Sequence, residues 1–179
     1  MKGRGEGLDP EKLFIGDCAM EQRGLLTLKR PIHKGAVKDW DLIESLWENV
    51  FHQLSVDSPP PTLVTEPPYN PKRNRERTIQ LLFETFLTPA AFLAVTSVLS
   101  LYSCGRTTGI VLDSGDGLTS TVPIYENYSI EYAMQRMDLG GENLTEYLGR
   151  LLTERGYRFT TSAEMELVRG LKEKLCFVL

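Results

Sequence analysis

The chain has 179 residues, 41% of them hydrophobic and 25% charged, with a net charge of -4, enough for one domain with a real core or two small lobes sharing it. This excludes the disordered and fibrous classes. An acidic chain also lacks the general positive field that recruits nucleic acid or anionic lipid, and neither is expected as a partner.

Met1 to about Pro10 is Gly-rich and charged, which predicts a flexible lead-in over residues 1–12 without the apolar centre of a secretory signal. No apolar run approaches the roughly 20 residues that a membrane helix needs. Cys18, Cys104 and Cys176 are odd in number, far apart and without CxxC spacing, as free thiols in a reducing compartment are. The sequons at Asn127 and Asn143 are accordingly expected to be unused.

LLTLKRP (Leu25 to Pro31) reads as a strand stopped by its proline, and KGAVKDW as a connection. Trp40, Ile43, Leu46, Trp47, Val50, Phe51 and Leu54 recur at helical spacing behind Asp41 and Glu44, which predicts an amphipathic helix closed by DSPPP. TLVTE (Thr62 to Glu66) is a short buried strand between prolines. PPYNPKRNRER reads as a loop before a second helix, whose apolar face is Ile79, Leu82, Phe83 and Phe86. Ala90 to Val95 predicts another strand, followed by a helix through Leu99 to Tyr102. Strands alternating with helices point to parallel pairing and an α/β fold.

Beyond Gly105 the pattern changes to GIVLDS, GDG and LTSTVPI, a β-hairpin around an Asp-Gly turn, with a third strand expected over Ala133 to Leu139. Asn143 and Glu146 form a capping-box pair before a helix carrying Leu144, Tyr147, Leu148, Leu151 and Leu152, which Gly156 stops. Thr161 and Glu164 repeat the device before a helix with Met165, Val168 and Leu175, and LCFVL starts a strand.

VLDSGDG (Val111 to Gly117) carries the strongest chemical signal. Glycines let a backbone approach phosphate closely, successive N–H groups can form an anion nest, and a carboxylate at a strand end can hold a hydrated magnesium ion. A plain hairpin turn explains the same residues. Lys72, Arg73, Arg75 and Arg77 form a basic cluster with little aromatic interleaving, a solvated or protein-contacting surface. His33 and His52 lie far apart without a cysteine or carboxylate pattern, so neither a metal site nor a triad is expected.

TEPPYNP, LYSCGRTTG, DSGDG and LTERGYRFT, with GDCAMEQRGLLTLKRPI, WDLIESLWENVF and VRGLKEKLCFV, follow one another in the order seen in actins, and from about Leu13 to Leu179 the chain resembles that family. The resemblance implies an incomplete actin-like, ribonuclease-H-like ATPase fold. Residues 13–105 would form part of the first lobe, and 106–179 part of the second with one phosphate loop. It implies ATP or ADP with Mg2+ as ligand. Ser114, Gly115, Asp116, Gly117 and Leu118 would wrap the phosphates, Asp113 would order water around the metal, and Gly141, Arg169, Lys172 and Glu173 would border the adenosine.

Departures from the family accompany these matches. Thr96 and Ser120 stand where actins position the attacking water with glutamine and histidine, Lys34 stands at the methylated histidine, and Glu142 replaces an arginine at the cleft edge. Nothing before Leu13 matches the family's first phosphate loop. These features imply an actin-like cytoskeletal protein of the cytoplasm, the nucleus also being open, with weak ATP binding and impaired hydrolysis. It would act through contacts with actin, actin-binding proteins or a folding chaperone. Two alternatives stay open: a competent ATPase whose remaining parts lie outside this sequence, and a non-functional partial gene product.

Overall fold

The computed structural model describes residues 13–54 and 58–177, so the expected lead-in and the end of LCFVL lie outside the described residues. The first element is a short helix α1, Asp17–Glu21. The strand expected over Leu25 to Pro31 does not form. Residues 22–26 turn instead, with Leu25 N–H donating to the Gln22 carbonyl at 2.9 Å, and no described strand pairs with the segment. A strand without a partner leaves its backbone groups unpaired, and a turn satisfies some of them locally. Regular pairing begins with β1 (Ile32–His33) and β2 (Ala36–Val37), joined through Lys34 and Gly35 at φ 48° and 73°.

Helix α2 spans Trp40–Gln53. The Asp39 carboxylate caps it by accepting from Leu42 N–H at 3.1 Å, and Ile43 is buried in the expected stripe. Trp47 and Phe51 meet the ring of Phe86, with centroids 6.1 and 5.1 Å apart. Strands β3 (Thr62–Glu66) and β4 (Ala91–Val95) pair in parallel as expected, Leu63 opposite Phe92 and Val64 opposite Leu93.

Between these strands, the segment expected as a loop is helical from its first basic residue, forming α3 over Lys72–Gln80. Lysine, arginine and glutamate are good helix formers, and Lys72 pairs with Glu76 one turn on at 3.8 Å. A single π-helical turn, Leu81–Thr85, follows. The wider turn rotates the apolar face, so Leu81 joins Leu82 in the core while Phe83, expected inside, is exposed.

Beyond that turn Leu87 sits at φ 53° with its side chain exposed. A left-handed backbone costs an ordinary residue about 1–2 kcal/mol, and asparagine adopts it more readily. Leu87→Asn is therefore expected to raise the chemical-denaturation stability by about 1 kcal/mol. A loss of stability would contradict this account of the turn.

Helix α4 covers Thr96–Ser103, and Gly105 at φ 68° turns the chain into a four-stranded antiparallel sheet. Its strands are β5 (Gly109–Ser114), β6 (Thr119–Tyr125), β7 (Tyr128–Ser129) and β8 (Gln135–Met137). The third strand is shorter than expected, because residues Glu131–Ala133 coil into a 3-10 turn. Leu101 of α4 packs with Val122, Ile124 and Met134, so the main apolar cluster crosses the Cys104–Gly105 turn.

The last two elements, α5 (Gly141–Glu154) and α6 (Ser162–Leu175), lie against each other, with Val168 fully buried. Gly156 at φ 94° stops α5 as expected. That helix starts three residues earlier than its sequence signal, capped at Gly140 rather than Asn143, and Asn143 serves inside the first turn, accepting from Gly140 N–H at 3.1 Å. The second capping box forms as expected. Thr161 Oγ1 accepts from Glu164 N–H at 3.2 Å, and Glu164 accepts from the Thr161 and Thr160 amides at 2.9 and 2.7 Å. These amides hold the Glu164 carboxyl below its ordinary range. No helix among the described residues is long and apolar enough to cross a membrane.

Candidate functional site

The β5–β6 hairpin presents its loop, Gly115 to Leu118, toward the β1–β2 hairpin on one side and the start of α5 on the other. The loop is wider than a two-residue Asp-Gly turn: Gly115 N–H donates to the Leu118 carbonyl at 3.0 Å, and neither Asp116 nor Gly117 has a positive φ. The loop carbonyls accept from the first amides of α5, Gly115 O from Gly141 at 3.0 Å and Asp116 O from Glu142 at 2.8 Å. Close approach demands glycine here, since a Cβ on Gly140 would lie 2.4 Å from the Asp116 carbonyl oxygen. On the other side a Cβ on Gly117 would meet Lys34 Cα at 3.0 Å, and one on Gly35 would meet Leu118 Cδ2 at 2.7 Å.

Three successive amides of this loop, those of Asp116, Gly117 and Leu118, have no acceptor among the described residues. Amides in such a row can serve an anion. The carboxylate of Asp113, at the end of β5, makes no hydrogen bond or ion pair with another described residue, and Asp113 lines a cavity of about 430 Å³ together with Thr96, Glu66, Gly115 and Gly117. Ser120 sits opposite Asp113 in the strand register. It is buried, and its hydroxyl is without a partner. The Asp113 carboxylate fits the water shell of a hydrated cation, and the Ser120 hydroxyl, outside that cavity, fits a separate buried water.

The remaining residues singled out by sequence also converge. A Cβ on Gly141 would lie 3.1 Å from Asp116 Oδ1 and 3.3 Å from Lys172 Nζ, so α5, α6 and the loop meet at this point. Their polar groups are already engaged with one another. Lys172 Nζ donates to the Gly141 carbonyl at 2.8 Å. Arg169 Nε donates to Glu173 Oε1 at 3.0 Å, which raises the Arg169 pKa. Ser114 Oγ pairs with Thr119 Oγ1 at 3.0 Å, and the Thr119 hydroxyl donates to the Leu139 carbonyl at 2.7 Å.

Arg30 completes this engagement, and no sequence pattern marked it. Its guanidinium lies 3.3 Å from Asp116 Oδ2 and also pairs with Glu166 of α6. Glu142 and Lys34 have partners as well. Glu142 faces His33 Nδ1 at 3.7 Å, and Lys34 faces Asp138 at 3.4 Å. Arg136 donates to Asp138 at 2.8 Å and to the Lys34 carbonyl at 3.0 Å. Chiefly through that Arg136 hydrogen bond, the Asp138 carboxyl is held below its ordinary range. A polar strap thus joins the segment from Leu28 to Lys34 to the loop, β8 and both last helices, with Leu28 N–H donating to Ser162 Oγ at 3.3 Å.

The loop amides and Asp113 suit a phosphate and a water-held cation. Asp116, Lys172 and Glu173, by contrast, already have partners within the chain, and among the described residues no group of three or more His, Cys, Asp or Glu could hold a metal. Taken together, the residues present do not fit a full Mg·nucleotide site. A family model described as Actin matches residues 2–179, beginning well before Leu13, where the sequence resemblance was read to start.

Proposed function

The chain belongs to the actin family, and from that premise we propose that it is an actin-like cytoskeletal protein with a partial nucleotide cleft, impaired in ATP hydrolysis and acting through protein contacts. Members of the family bind ATP or ADP with Mg2+, and in this chain that binding is weak. The observation that carries this reading is the internal engagement of Asp116, Lys172, Arg169 and Glu173. Its partners are actin or actin-binding proteins and a folding chaperone, in the cytoplasm and cytoskeleton.

Hydrolysis needs a group that aligns water on the phosphate. Thr96 lines the cavity beside Asp113 but has a short side chain, while Ser120 is buried and does not line the cavity. Neither reaches or shares a proton as glutamine and histidine do. The double variant Thr96→Gln, Ser120→His is nevertheless expected to stay inactive. A well-aimed water gains little against a phosphate held by one loop. The check is phosphate release from ATP by the wild-type chain and the double variant. Turnover by the variant comparable to that of intact actin would overturn this reading.

A second reading, an ATPase completed by sequence outside this chain, draws on the three open amides and on unpartnered Asp113. It predicts hydrolysis once those parts are supplied. The first reading is favoured because the adenosine-side groups are engaged as well.

A further inference from the structure

Asp116 is the one carboxylate within the loop, and a long-range ion pair defines its environment. Arg30 reaches it from the segment before β1, 86 residues away in sequence. The same guanidinium holds Glu166, which is largely shielded from solvent and also faces Arg169 Nη1 at 3.7 Å. Arg169 in turn holds Glu173 at 3.0 Å. The result is an alternating row: Asp116, Arg30, Glu166, Arg169, Glu173. It borders a cavity of about 320 Å³, lined also by Leu28, Thr145 and Ser162.

We propose that Arg30 is a built-in cation for the phosphate-type loop, a positioning residue that organises Asp116 and binds the loop to α6 without a divalent ion. The planar guanidinium suits this task because it presents two N–H groups to two separate carboxylates at once, which a lysine ammonium on a flexible stem does less well. The main chain of Asp116 is fixed by Glu142 N–H, so Arg30 supplies the side-chain half of a two-point attachment. The proposal rests on reading Ser114 to Leu118 as a phosphate-type loop, but the tether itself needs no nucleotide.

The test is amide hydrogen exchange of the full chain in the cold, without nucleotide, in Mg2+ or in EDTA. Exchange at the hydrogen-bonded amides of Gly115, Gly141 and Glu142 is read against ladder amides at Val111 and Val122, so that general loosening cancels. In wild type, Mg2+ and EDTA should give the same rates. Arg30→Gln should speed exchange at the loop and α5 start about tenfold relative to the ladder, the scale of one lost charge-assisted hydrogen bond. Millimolar Mg2+ should restore part of the protection, because Asp116 and Glu166 are then free to share an ion. Arg30→Lys should fall between the two, and Glu166→Gln, which leaves the loop untouched, should weaken protection in the same direction.

Unchanged relative exchange in both Arg30→Gln and Glu166→Gln would overturn the tether. Mg2+ protecting the wild-type loop would overturn the built-in cation. Failure to bind ATP would affect neither result, which separates this test from that of the nucleotide reading.

Discussion

Warmed in dilute solution, the isolated chain is expected to lose structure over a broad temperature range, to bind a hydrophobic dye beforehand and to elute as associated species. The reason is exposed apolar surface. Nine hydrophobic residues are buried among those described, while Leu63 and Phe92, opposite each other across β3 and β4, are 54% and 64% exposed. Ile110 and Leu112 of β5 are exposed on the sheet face away from α4. Leu144, Tyr147 and Leu151 on α5, with Leu167, Leu171 and Leu175 on α6, form further uncovered stripes.

Each large side chain left in water forgoes roughly 1.5–3 kcal/mol, against a typical net stability of about 5–15 kcal/mol. The parallel pair β3–β4 is also a two-stranded sheet, too small to be stable alone and open to pairing with another chain. A partner or folding chaperone that covers these faces should sharpen the transition. Size exclusion with thermal melting checks this, and a clean monomer with one sharp cooperative transition would contradict it.

Much of the fold was legible because local pattern and tertiary role agree. The apolar stripe of α2 and the proline-bounded run of β3 are strong local signals, as are the Thr161–Glu164 capping box and the αL stop at Gly156. Where they disagree, reading failed. Leu25 to Pro31 has strand-like composition but no described partner to pair with, and KRNRER looks like a loop until its helix-forming side chains are counted. The start of α5 is set by the loop carbonyls that accept from Gly141 and Glu142, a long-range cause invisible at Asn143.

The candidate site was legible only in part, for the same reason. The loop glycines carry a sequence signal because backbone approach demands small residues there, and Asp113 carries one as a carboxylate ending a strand, whereas Gly141 is marked by the family resemblance alone. Arg30 and Glu166 carry none. They are ordinary surface charges in sequence, separated by 136 positions, and only the fold brings them together. The charge replacements at Lys34 and Glu142 read as isolated departures, yet each meets a partner, Asp138 for Lys34 and the His33 imidazole for Glu142.

Affinity for ATP is where these engaged groups have their largest effect on function. A nucleotide would have to displace Lys172 from Gly141, part Arg169 from Glu173 and compete with Arg30 for Asp116. The part-buried bond from Lys172 to the Gly141 carbonyl is worth about 1.5–3 kcal/mol, or roughly ten- to a hundredfold in affinity, and the two exposed ion pairs about 0–1 kcal/mol each. Forfeited together they lower affinity by roughly one to three orders of magnitude, leaving the loop amides to hold the phosphates.

Calorimetric titration of the purified full chain with ATP, in Mg2+ and again in EDTA, tests this most directly. The arrangement of the cleft predicts binding in the high micromolar range or weaker, with little difference between the two conditions. A submicromolar dissociation constant that depends on Mg2+ would contradict it and identify the chain as a competent nucleotide-binding actin.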